Sequence, residues 1–336
     1  MTFLLELKER IRQIYIKGAD WILPILKFAL AMLVFTSINN TIGFLPIFSN
    51  IFVLLIMALI CALLSPRMIA VFAGVMIKGH SYALGIEVAG TIAIILVLLY
   101  IFAARYVEQD ALAFVLTPLA FGAGCACIIP VCYGLKKRPS SAVSVSCGTF
   151  VYYLIQVIKE KAPVFQGTEE ADLVANVRLI LDGIVKNKMM LLSIVAMVLV
   201  FIVVYAIRKL SIDYSWFIAV FVGACCYFGI MVGGGIFLDL GVSMTALIIG
   251  TISAMAAGII LTYFVLSVDY TRTEHLEYED DEYYYYVKAV PKLTIAQKEK
   301  KIVIDIAENM LGDNCEAIDY DQDDLEKKLE ESLKEL

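Results

Sequence analysis

Residues 189–207 read MMLLSIVAMVLVFIVVYAI, nineteen side chains without a charge. As a helix rising 1.5 Å per residue this run is about 28 Å long, close to the ~30 Å hydrocarbon thickness of a bilayer. It is flanked by Lys186 and Lys188 on one side and Arg208-Lys209 on the other, as expected where a span meets its two interfaces. Further apolar runs lie at about 21–38, 50–64, 82–104, 142–158, 214–232 and 242–268. Two more stretches are apolar but awkward. Residues 67–78 are short for a crossing, and residues 111–135 are interrupted by Pro118, Gly122, Gly124 and Pro130, which break or halve a helix.

The composition agrees with that pattern. Of 336 residues, 61% are hydrophobic and 18% charged, and the mean hydropathy is +0.83. A soluble chain of this length has too little interior for so much apolar surface, so a bilayer is the expected solvent. Charge separates into two compartments. Residues 269–336 hold 20 acidic and 9 basic side chains, a net of −11, which leaves +5 of the total −6 for residues 1–268. An acidic tail repels phosphates, so nucleic acid is not an expected partner. Seven of the eight cysteines lie in or beside apolar segments and are read as free thiols packed as small hydrophobes.

Basic residues orient the runs. Inside clusters are the N-terminus, Arg67, Arg105, Lys136-Lys137-Arg138 and Arg208-Lys209, while the uncharged 39–49 loop suits the outside. The assignment is consistent if 67–78 crosses and 111–135 enters and leaves on the cytoplasmic side. The expected fold is then an all-α polytopic membrane bundle of about eight transmembrane helices plus a broken or re-entrant segment, with both termini cytoplasmic. Residues 159–188 become an outer loop whose five basic and five acidic residues cancel. Residues 1–20 lack the apolar core and cleavage site of a signal peptide. They place Leu4, Leu7, Ile11, Ile14 and Tyr15 on one face, as in an interfacial amphipathic helix. The expected division is 1–20 interfacial helix, 21–268 transmembrane domain, 269–296 hairpin and 297–336 acidic, partly helical tail.

Gly250, Ala254 and Gly258 recur every four residues, and Gly229 and Gly233 repeat the spacing one helix earlier. Small residues at this period let helices approach closely in lipid, either within the bundle or across a homo-oligomer seam. Gly233-Gly234-Gly235, ahead of Asp239, reads as the loop between the last two spans, the alternative being a helix break like that at 111–135.

Candidate chemistry is sparse. Glu87 is the acidic residue inside an apolar run, with Lys78 and His80 a few positions earlier. A carboxylate in hydrocarbon is costly, so Glu87 either faces a substrate cavity or reaches the interface. The break marked by Thr117, Pro118, Gly122, Gly124 and Pro130 either lines a cavity with free backbone groups or is kinked packing. Cys125, Cys127 and Cys132 match no metal-ligand spacing and have no histidine nearby, and Lys27 is expected to reach the headgroups. The sequence carries no phosphate-binding glycine loop, no H-E-x-x-H and no G-x-S-x-G, and only two histidines. No catalytic residue, metal or cofactor is therefore expected, and energy for transport would come from an ion gradient or a separate ATPase.

The tail differs in chemistry. Residues 271–278 and 282–290, the latter with Tyr283, Tyr284, Tyr285 and Tyr286, read as strands around an acidic turn. A lone hairpin is marginal in water and should dock on the membrane domain, a second copy or a cytosolic protein partner. Leu325, Leu329, Leu333 and Leu336 then mark a short amphipathic C-terminal helix.

The stretch VDYTRTEHLEYEDDEYYYYVKAVPK at 268–292, with SINNTIGF at 37–44 and RKLSIDYSWFIA at 208–219, resembles a family of polytopic membrane proteins from Gram-positive anaerobes commonly labelled ABC transporter permeases. The resemblance covers roughly residues 1–292 and implies the same architecture in a bacterial cytoplasmic membrane; it brings no site residues with it. Two functions are expected from different classes: a permease-like transport protein, or a membrane scaffold presenting its tail to a protein partner.

Overall fold

In the computed structural model of the chain, which describes residues 2–106, 110–167, 173–210, 212–265 and 274–291, helix forms wherever the apolar runs predict it. Hydrocarbon offers no partner for backbone N–H and C=O groups, so helix is the conformation that satisfies them within one segment. Two compact units are distinguished, 1–293 and 294–336, and the described residues belong to the first. The expected C-terminal helix within 297–336 lies outside the described residues.

The first half comprises α1 (Thr2–Ile42), the single turn α2 (Pro46–Ser49), α3 (Ile51–Leu63), α4 (Arg67–Tyr82), α5 (Ile86–Tyr106) and α6 (Ala111–Gly122). The second comprises α7 (Ile128–Lys136), α8 (Ser141–Gly167), α9 (Leu173–Val185), α10 (Lys188–Arg208), α11 (Ser215–Phe237) and α12 (Met244–Val265). Among the described residues five segments are long and apolar enough to cross a membrane: Leu7–Ile42 of α1, Ser141–Phe165 of α8, and α10, α11 and α12. They mark a membrane protein; α3, α5 and α6 carry shorter apolar segments.

Several boundaries differ from the sequence reading. The expected interfacial helix over 1–20 and the first span are one helix of 41 residues, about 60 Å, running through Pro24. Residues 159–188, expected as a loop, are mostly helix, since α8 continues to Gly167 and α9 turns back against it. Gly233-Gly234-Gly235 belongs to α11 instead of a loop. The reason is close packing: a methyl on Gly234 would overlap Leu192 of α10, and one on Gly235 would meet Val242. The chain turns two residues past the end of α11, where Asp239 takes φ 55° and the Leu240 N–H donates to the Gly235 carbonyl at 2.8 Å.

The helices assemble around two apolar cores. One gathers Phe35, Ile69, Met76, Ile92, Leu154 and Ile180 from α1, α4, α5, α8 and α9. The other gathers Val131, Leu135, Met197, Phe201, Val220 and Ala254 from α7, α10, α11 and α12. α6 and α8 contribute to both, through Val115 and Leu154 on one side and Ala113 and Val145 on the other. α8 is the most enclosed long helix, with 72% of its apolar window buried against 22% to 39% for the other four.

α6 and α8 run parallel, paired at Asp110–Ser141, at Thr117–Gly148 and at the stacked rings of Phe121 and Tyr152, 4.9 Å apart. α7 then returns toward the start of α6. Buried Asp110, just before α6, forms an ion pair with Lys137 at the end of α7 and accepts a hydrogen bond from the Ser141 hydroxyl. Arg208, ending α10, donates to the carbonyls of Leu135 and Lys137, where the α7 dipole favours a cation. The basic clusters 136–138 and 208–209 thus meet at one end of the bundle. Lys27, expected to snorkel, donates to the Leu64 carbonyl that ends α3, at 3.0 Å.

β1 (Glu274–Glu279) and β2 (Tyr284–Ala289) form the antiparallel hairpin, in register Tyr278↔Tyr285 and Leu276↔Val287. Its four-residue turn is closed by Asp280, whose amide donates to the Tyr283 carbonyl at 3.0 Å and whose side chain accepts from the Glu282 amide at 2.9 Å. One face carries Leu276, Tyr278, Tyr285 and Val287, and all four are exposed.

Replacing Asp110 with Ala removes the acceptor that joins α6, α7 and α8. The Asp110→Ala variant is expected to lose about 1–3 kcal/mol, read as a lower thermal midpoint in detergent, with Asp110→Glu retaining part of it.

Candidate functional site

The break at 111–135 is two short helices joined by a tight turn. Pro118 lies within α6, and the helix ends in a Schellman motif: Gly124 takes φ 72°, its amide donates to the Phe121 carbonyl at 3.0 Å, and the Cys125 amide donates to the Ala120 carbonyl at 2.9 Å. Gly124 needs no side chain there, because φ in that region is strained for any residue with a Cβ. The freed carbonyls are therefore largely satisfied at the turn. Pro130 sits in the first turn of α7, where its missing N–H costs no helical bond, and it is buried.

Beside this tip lies a cavity of about 510 Å³ bounded by α1, α4, α5, α6 and α8. Its walls are apolar, with Val34, Ile38, Leu96, Phe114, Leu119 and Ile155 among them. Polar groups enter from Ser37 and Thr41 on α1, Lys78 on α4, Tyr100 on α5, and Tyr152, Gln156 and Lys159 on α8. Among the described residues no carboxylate lines it. Exposed Val75, Lys78, Val97, Tyr100 and Lys159 mark its mouth. The size and the mix of apolar wall with few polar groups are those of a small-molecule site.

Chain comparison adds no family. Neither family models, nor characterised proteins, nor solved structures match this sequence. The site is accordingly read from its own geometry.

Of the residues singled out from sequence, Lys78, Pro118 and Gly122 line the cavity. Thr117 sits behind it, fully buried, donating to the Ala113 carbonyl at 2.6 Å and packed against Gly148 of α8. Glu87 is in the first turn of α5, where the helix dipole favours a carboxylate, and its oxygen lies over Gly85 instead of facing the cavity. His80 is fully buried, accepts the Leu45 amide on Nδ1 at 3.1 Å and meets Phe48 edge to face at 5.5 Å. It pins the 43–50 connection and lies outside the cavity lining. Glu87, Lys78 and His80 do not converge on one vestibule.

Sequence reading passed over Ser37, Thr41, Tyr152, Gln156 and Lys159. A signal existed on α8: Tyr152, Gln156 and Lys159 fall at i, i+4 and i+7, one helical stripe through an apolar run. The stripe is hidden in the sequence because the apolar run 142–158 stops one residue short of Lys159, which then reads as part of a loop. A second, shallower depression beside α9 carries Glu160, Lys161, Asp182, Lys186 and Lys188. Its charges largely pair internally: Lys161 with Glu160 at 3.0 Å and Lys186 with Asp182 at 2.8 Å, a bond that holds the Asp182 carboxyl below the ordinary range.

The tip of the α6–α7 hairpin is seated on α12. A methyl on Gly250 would lie 2.7 Å from the Gly124 carbonyl oxygen, and one on Gly258 would overlap Val220 of α11. Gly250, Ala254 and Gly258 are all buried, so this stripe packs within the bundle. Gly229 and Gly233 are exposed, with nothing among the described residues within 4 Å of where a Cβ would stand. The Gly250→Val variant is therefore expected to lose about 1–3 kcal/mol by overpacking against backbone, and Gly229→Val to leave the thermal midpoint unchanged.

Proposed function

We propose that this chain is a permease-like membrane transport protein whose substrate path includes the α1–α4–α5–α6–α8 cavity. The observation that carries the reading is an apolar cavity with a few polar groups beside a helix that stops part-way and turns back, as transporters build substrate paths around broken helices. Two features support a re-entrant hairpin: its ends are tied together through Asp110 and Lys137, and both basic clusters gather at that end. With α3, α4 and α5 counted as crossings beside the five long segments, the chain makes eight crossings in a bacterial cytoplasmic membrane, both termini on the cytoplasmic side. Because the sequence holds no nucleotide-binding loop, an ion gradient or a separate ATPase drives it, the latter in keeping with the family resemblance.

A second reading is favoured by one observation: the hairpin face carrying Leu276, Tyr278, Tyr285 and Val287 is uncovered. A scaffold would use it, with Tyr283, Tyr284 and Tyr286 beside it, to dock a cytosolic protein.

Cysteine accessibility separates the two. In a background lacking the eight native cysteines, Ser37→Cys, Gly122→Cys and Gln156→Cys are expected to react with a membrane-impermeant thiol reagent several-fold faster than Leu98→Cys and Ile249→Cys, which face away from the cavity. Reaction no faster than these controls overturns the transport reading in favour of the scaffold.

A further inference from the structure

The charge of the cavity narrows what it takes. Among the described residues its charged lining is Lys78 and Lys159 with no Asp or Glu, and Tyr100, Tyr152, Gln156, Ser37 and Thr41 add hydrogen-bonding groups. Among the described residues neither lysine has an ion-pair partner, and the neighbouring Glu160 carboxylate is taken by Lys161 at 3.0 Å. Glu87, the acidic group nearest in sequence to Lys78, is folded over Gly85. Two ammonium groups within apolar helices are costly unless they serve an anion or reach water. Most of the other lining is hydrocarbon, with Val34, Ile38, Val71, Val97, Leu119 and Val151 among it.

We propose that the cavity binds a single-chain amphiphilic anion, its tail along the apolar walls of α1, α5 and α6 and its charged head between Lys78 and Lys159. The cationic mouth and the apolar interior meet the two ends of such a molecule, whereas a small hydrophilic anion would leave the walls in contact with water. The assignment rests on the transport reading only in taking the cavity to be open to a ligand.

The test uses the full-length protein in phosphatidylcholine nanodiscs at about pH 8.5, above the ordinary range of a carboxylic acid. The probe is radiolabelled palmitate, with hexadecanol as its uncharged twin and butyrate as its short counterpart. Saturable palmitate binding is expected, displaced by neither hexadecanol nor butyrate. Lys78→Gln and Lys159→Gln are each expected to weaken it about tenfold, as loss of one charged hydrogen bond does, and Lys78→Arg with Lys159→Arg to retain it. Both lysines are exposed, so unchanged thermal midpoints are expected and would verify that the variants fold.

Absence of saturable binding, equal displacement by hexadecanol, or unchanged affinity in the double Gln variant overturns the proposal. Displacement by phosphatidylglycerol placed in the nanodisc would make the occupant a resident diacyl lipid and overturn the single-chain assignment. The transport reading fails separately. Rapid labelling of the cavity cysteines with lysine-independent palmitate binding discards the ligand class alone. Lysine-dependent binding without palmitate movement across sealed proteoliposomes discards transport and keeps the site.

Discussion

A helix interrupted inside an apolar bundle leaves backbone groups that hydrocarbon does not solvate, and the fold is organised around satisfying them at the α6–α7 turn. The turn closes its own carbonyls through Gly124 and Cys125, then presses a bare backbone edge against Gly250. At the far end, Asp110, Lys137, Ser141 and Arg208 bind the two arms to α8 and α10. Both ends of the hairpin are therefore held, and α12 and α8 are positioned by what they hold.

That arrangement also creates the cavity. α6 pairs with α8 over the stretch from Asp110 to Phe121 and then stops. Beyond its tip α8 continues for more than a dozen residues to Gly167, past Gln156 and Lys159. Space left alongside the tip is bounded by α1, α4 and α5 instead of being filled by a full-length partner helix. The same interruption divides the interior into two cores, with Phe121 packed against both. Tyr153 fastens the boundary, its hydroxyl 2.6 Å from that of Ser193 on α10.

Much of this was legible residue by residue. The period and length of the apolar runs mark helices, and Gly124 marks the break, because a left-handed φ is a local property, whereas α6 runs on through Pro118. The tyrosine-rich segment announced its hairpin through aromatic and β-branched content around an acidic turn. Glu87 misled because an acidic residue near the edge of an apolar run is ambiguous by several residues, and the three residues from Ala83 to Gly85 that end α4 put it at a helix start. Gly233-Gly234-Gly235 misled for another reason. Three glycines lower helix propensity, but close contact with Leu192 and Val242 outweighs it.

The sequence alone determined that the chain belongs to a bilayer, that it is built of helices, where its middle helix breaks and that its tail changes chemistry, since each depends on composition and local period. Only the tertiary structure decided which polar groups share a space. Ser37, Lys78 and the α8 stripe with Gln156 and Lys159 come from three helices far apart in the chain, and no local rule relates one helix's groups to another's. Their meeting depends on how helices of unequal length pack side by side, which is a property of the whole bundle.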